Sequence, residues 1–187
     1  MPGVVKSASG SAEKPSSKIC PTCGERFGMD ALFCPNDGTS RAQMAVFLLK
    51  ASQPSGYMPP PCTGTRFDDV PCTGGTFDPW IEDLAGRGIT AGCQLSPPLY
   101  CPNALVARDQ MSVFLLKTQH GSSYVPPMCS GMFGDVACPS QFADWIEQLA
   151  NEGITAGCDS QNYCPSLPVT RGQMAVFLVK TFAIPLP

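Results

Sequence analysis

Cysteine is the residue type in this sequence best placed to do chemistry. Cys20 and Cys23 bracket two residues, and Cys34 and Asp37 repeat that spacing after ten intervening positions. Two such turns can converge three thiolates and a carboxylate on one tetrahedral ion, and zinc suits those donors. Gly24 and Gly38 follow the second donor of each turn, where a tight bend favours glycine. The same thiols have another use: Cys20 with Cys23, or either with Cys34, can form a disulfide. The other eight of the 11 cysteines fall into neighbouring pairs. Their spacing predicts Cys62–Cys72, Cys93–Cys101, Cys129–Cys138 and Cys158–Cys164 bridges, each stabilising by about 2–3 kcal/mol through loop closure. The odd total leaves at least one thiol without an intrachain partner.

These pairs recur because the chain repeats itself. Phe67-Asp68-Asp69-Val70, Trp80 to Ala85 and Gly88-Ile89-Thr90-Ala91-Gly92-Cys93 return as Phe133-Gly134-Asp135-Val136, Trp145 to Ala150 and Gly153-Ile154-Thr155-Ala156-Gly157-Cys158. Each unit continues through Tyr-Cys-Pro (Tyr100 to Pro102, Tyr163 to Pro165) into an apolar run ending at Lys117 or Lys180. Phe33-Cys34-Pro35 and Ser40 to Lys50 align without gaps to Tyr163 through Lys180, so a third copy exists as a back half only. Repeats of this kind stack to bury apolar faces that one unit cannot cover alone.

Each full unit reads as helix, loop, helix. Trp80, Ile81, Leu84 and Ala85 form one apolar stripe, with Asp78 as cap and Pro79 at the first turn. Gly88 and Gly153 stand where a left-handed residue ends a helix. The second helices, near residues 40–52, 107–119 and 170–182, are apolar nearly all round, as in a bundle centre. Thr170 is the expected cap of the last. The predicted fold is therefore mainly α: helix-loop-helix repeats in a pseudo-threefold bundle behind a small N-terminal knuckle. The parsing is a flexible tail at 1–18, a knuckle at 19–38, a partial repeat at 39–52, and full repeats at 53–119 and 120–187.

Composition excludes several functions. A net charge of −3, with 14% charged residues and no basic stripe, argues against nucleic acid. No apolar run approaches the roughly 18 residues that span a bilayer. Met1 to Lys6 lacks the apolar stretch of a secretory signal, which makes a cytoplasmic location the alternative to the oxidising exterior that disulfides require. The single histidine, His120, is expected in a flexible loop. Glu82, Asp83 and Glu147 are expected on solvated helix faces, so no acid–base pair is predicted and the chain reads as a non-enzyme.

The Phe-x-Asp-Val segments, the Trp helices, the Gly-Ile-Thr-Ala-Gly loops, and Ala107-Arg108-Asp109-Gln110 and Thr170-Arg171-Gly172-Gln173 together resemble the S-layer homology family over about residues 67–182, with a remnant at 39–52. Lys18 to Ser40 resembles a short zinc ribbon, with Asp37 replacing the last cysteine. The first resemblance implies a three-pronged helical module at the cell surface that grips cell-wall polysaccharide between prongs. It assigns acidic-group binding to Arg108 and Arg171, with Arg41 as the incomplete third. Those arginines have an alternative role as caps or partners of Asp69, Asp135 or a loop carbonyl. Trp80 and Trp145 could stack on sugar, but their stripe favours core. The second resemblance implies one structural zinc. The competing reading is a stapled structural or self-assembling surface protein, a homo-oligomer or a partner of another envelope protein.

Overall fold

The computed structural model describes residues 17–21, 24–28, 34 and 36–186. Most of the expected tail, and Cys23, lie outside the described residues; Ser17 and Lys18 are strand rather than tail. The elements are β1 (Ser17–Ile19), β2 (Arg26–Gly28), α1 (Arg41–Ser52), α2 (Asp78–Gly86), β3 (Gln94–Leu95), β4 (Pro98–Leu99), α3 (Arg108–His120), α4 (Ala143–Asn151) and α5 (Arg171–Phe182). β1 pairs antiparallel with β2, and β3 with β4.

The three apolar helices α1, α3 and α5 touch one another pairwise. Met44, Leu48, Met111, Leu115 and Met174 are buried in their shared core. Ser40 and Thr170 each form a reciprocal capping box with the glutamine three residues on, Gln43 and Gln173. The segments that lead into these helices are tied in a closed ring. Thr39 N–H donates to the Val169 carbonyl (2.8 Å), Val169 to Val106 (2.8 Å), and Val106 to Thr39 (3.0 Å).

The short helices pack across the sequence repeat. α2 lies on α1 and α4 on α3, so the front half of each unit covers the long helix of the unit before it. The back half that looked like a remnant therefore has a full partner. α5 has no short-helix partner among the described residues, and its Val176 is half exposed.

Two local expectations shift. The cap of α2 is Phe77, which offers no side-chain bond, and Asp78 sits inside the helix, accepting from Gly75 N–H at 3.2 Å. The Phe77 carbonyl accepts the first helical bond, from Ile81 N–H at 3.0 Å, so the helix opens at Asp78, and Pro79 leaves no unpaired amide in that turn. Four disulfides staple the loops: Cys62–Cys72, Cys93–Cys101, Cys129–Cys138 and Cys158–Cys164.

Candidate functional site

Two grooves open beside the central helices and share most of their lining positions. The first, about 350 Å³, is lined by Arg41, Thr90, Gly92, Gln110, Phe114 and Lys117. The second, about 480 Å³, is lined by Arg108, Thr155, Gly157, Gln173, Phe177 and Lys180. Each thus joins an arginine at the start of one long helix, a Gly-Ile-Thr-Ala-Gly loop, and the flank of the next long helix.

The arginines are built in. Arg41 and Arg108 are each only 3% exposed. Arg41 Nε donates to the Tyr100 carbonyl at 2.7 Å, and Arg108 Nε to that of Tyr163 at 2.9 Å. Each tyrosine returns a bond, Tyr100 OH to the Arg41 carbonyl (2.7 Å) and Tyr163 OH to that of Arg108 (2.8 Å). The guanidinium groups lie 4.9 and 4.8 Å from the rings of those tyrosines. Burial pushes both phenols up, against the opposing pull of the arginines, so they stay neutral donors. Arg41 Nη1 donates to Gln110 Oε1 at 3.3 Å. Nη2 of Arg41 and of Arg108 is buried with no hydrogen-bond partner among the described residues. Arg171 is half-buried and lines neither groove; its backbone N–H donates to the Asp37 carbonyl at 2.8 Å.

The aspartates of the Phe-x-Asp-Val segments hold the same corner from behind. Asp69 accepts from the amides of Tyr100 (2.8 Å) and Cys101 (2.7 Å), and Asp135 from those of Tyr163 (2.8 Å) and Cys164 (2.7 Å). Cys101 and Cys164 both take positive φ, a turn whose adjacent amides make an anion nest. The Nε bonds of Arg41 and Arg108 thus go to loop carbonyls, and the aspartates fix those loops.

Trp80 is buried, and Trp145 is half-buried against Tyr124, with ring centroids 6.1 Å apart. Neither lines the two grooves. Lys50 and Lys117 lie over their faces at 5.1 and 5.8 Å.

Glu82 and Glu147 are not on solvated faces; they are 7% and 5% exposed. Glu82 accepts from the amides of Thr63 (2.6 Å), Gly64 (2.8 Å) and Thr65 (3.2 Å). Glu147 accepts from Ser130 (2.6 Å), Gly131 (2.7 Å) and Met132 (2.7 Å). Burial opposes ionisation of both, but these bonds outweigh it and hold each carboxyl below the ordinary glutamate value. A native value below the unfolded one adds stability above the unfolded value, near pH 4.3, and loses it as pH falls through the native value. Urea unfolding followed by circular dichroism at a series of pH values is expected to show stability falling as pH drops below the ordinary glutamate range. Glu82→Gln with Glu147→Gln should be less stable at pH 7 and flatten the acid limb; an unchanged limb would remove this role. His120 is also not in a loop: it ends α3, stacks on Tyr124 and meets Glu152 at 2.9 Å.

At the front, the β1–β2 hairpin delivers Cys20 to Cys34 and Asp37. One donor atom from each lies within 4.8 Å of the others. Cys20 Sγ donates to Asp37 Oδ1 at 3.0 Å, and the two cysteines are 1% and 4% exposed. Soft sulfur donors with one carboxylate fit zinc.

Sequence reasoning passed over Tyr100 and Tyr163 as repeat markers, although their fixed offset from the second helix was visible. Residues 138–175 match the family model of the S-layer homology domain. No curated protein matches the chain.

Proposed function

We propose, from the S-layer homology segment at residues 138–175, that this chain is a non-catalytic cell-envelope module that binds an acidic cell-wall glycan. In this reading α1, α3 and α5 form a pseudo-threefold bundle, and the two grooves between its prongs take the polymer. The observation that carries it is that Arg41 and Arg108, whose Nη2 finds no hydrogen-bond partner among the described residues, each line one of the two grooves. A carboxylate would satisfy such a donor, and a guanidinium fork suits it. Lys117 and Lys180 add positive charge to the same grooves in a chain whose net charge is −3. Among the described residues Arg171 lines neither groove, so this reading rests binding on Arg41 and Arg108, with Trp80 and Trp145 as supports of the fold. The front cysteines enter as a structural zinc site, and the location is the cell surface.

Co-sedimentation with purified cell-wall sacculi tests this. Arg41→Lys and Arg108→Lys keep the charge but lose the fork, and each should weaken binding about tenfold. Arg171→Lys should leave it unchanged. Full binding by the double variant would defeat the reading. The second reading, self-assembly through protein contacts, draws support from Val125, Met128 and Met132, exposed together along one loop. Sedimentation velocity of the full chain distinguishes it: concentration-dependent association without sacculus binding favours assembly.

A further inference from the structure

We infer that a zinc ion bound by Cys20, Cys34 and Asp37 closes the helical ring at its third corner and completes the wall of the Arg108 groove, so that metal binding and groove binding are linked; the groove half of this rests on the glycan-binding reading. Three corners of the ring share one construction. At the first, Arg41 N–H donates to the Ala104 carbonyl (2.9 Å); at the second, Arg108 to Leu167 (3.0 Å); at the third, Arg171 to Asp37 (2.8 Å). Ala104, Leu167 and Asp37 each close the same turn back to a cysteine carbonyl three residues earlier, that of Cys101 (3.1 Å), Cys164 (3.2 Å) and Cys34 (3.3 Å).

The anchors of those cysteines differ. Cys101 is stapled to Cys93 and Cys164 to Cys158, both from the front half of their own unit. The unit of Cys34 has no such front half in the sequence. In its place the β1–β2 hairpin brings Cys20, and Asp37 turns its carboxylate to the same point. Two sulfurs and an oxygen make three donors of a tetrahedral zinc site, with the fourth position left to another ligand. Binding displaces the thiol protons to solvent and fixes the turn. Asn36 lies between two of the ligands and lines the Arg108 groove. Fixing Cys34 and Asp37 therefore fixes that wall, while the Arg41 groove contains no part of the knuckle among its lining residues.

The full chain, prepared without reductant, is dialysed against a chelator and reloaded with zinc. Native mass spectrometry should show one zinc per chain. The amides of Thr39 and Arg171 should exchange hydrogen about tenfold more slowly at saturating metal. Cys20→Ser and Asp37→Ala should lose both effects while keeping their helical circular dichroism. Failure to retain zinc, zinc uptake without slower exchange at Arg171, or a native Cys20–Cys34 disulfide would each overturn the closure. Zinc should also tighten sacculus binding roughly fivefold, and Arg108→Lys should abolish that dependence while the Arg41 groove still binds. Equal binding with and without zinc overturns the linkage and leaves the glycan reading standing. If no form binds sacculi, the glycan reading fails, and amide exchange alone decides the closure.

Discussion

Full reduction of the disulfides is expected to unfold the protein at neutral pH and room temperature. The four bridges close loops with sequence separations of 10, 8, 9 and 6. At about 2–3 kcal/mol each, their sum rivals the 5–15 kcal/mol that hold a typical domain together. Little else restrains the loops they close. The strands beside them are two residues long, and α2 and α4 have nine residues each, shorter than an isolated helix can sustain. Far-UV circular dichroism with and without a strong thiol reductant checks this. Single pairs should separate by position. Cys93→Ala with Cys101→Ala removes the anchor of the turn that presents the Tyr100 carbonyl to Arg41, so it should lower stability and disturb the first groove. Cys62→Ala with Cys72→Ala lies away from both grooves and should cost stability alone. A reduced protein that keeps its helices and melts cooperatively would remove the staple argument.

What the sequence discloses follows from distance along the chain. The long helices were readable because apolar runs at 40–52, 107–119 and 170–182 are local signals; they form at Arg41–Ser52, Arg108–His120 and Arg171–Phe182. The bridges were readable for the same reason, since each joins cysteines at most ten positions apart. The carboxylates were misread because a helical wheel treats Glu82 as one residue among polar neighbours. Its environment comes from the amides of Thr63, Gly64 and Thr65, which only the folded loop brings over it. The arginine assignment needed longer reach still. Arg41 meets Tyr100 across 59 positions and Arg108 meets Tyr163 across 55, so no local pattern says which loop each serves. That pairing also crosses the repeat boundary, which is why Arg41 of the apparent remnant at the front lines a groove, while among the described residues Arg171 of the last copy lines neither of the two.

The Gly-Ile-Thr-Ala-Gly loop was legible as a motif, but its need for glycine becomes physical only in three dimensions. Gly92 has φ +94, and a Cβ there would collide with the Leu99 carbonyl oxygen and meet Phe67 Cε1 at 2.8 Å. That carbonyl accepts from Cys93 N–H at 2.7 Å, so it cannot retreat without breaking the bond that closes the loop beside the staple. Gly121 supplies the control: its φ is +99, yet nothing lies within 4 Å of the added atom. Gly121→Ala therefore carries backbone strain alone, about 1–3 kcal/mol. Gly92→Ala carries that strain plus the displacement of a tightly bonded loop, a further 1–3 kcal/mol or so. Urea unfolding of the two variants measures the difference directly. Because Gly92 lines the Arg41 groove, its alanine variant should also weaken sacculus binding where Gly121→Ala does not. Equal destabilisation by the two substitutions would mean that the loop yields freely, and that the groove floor is not the rigid surface on which the binding argument depends.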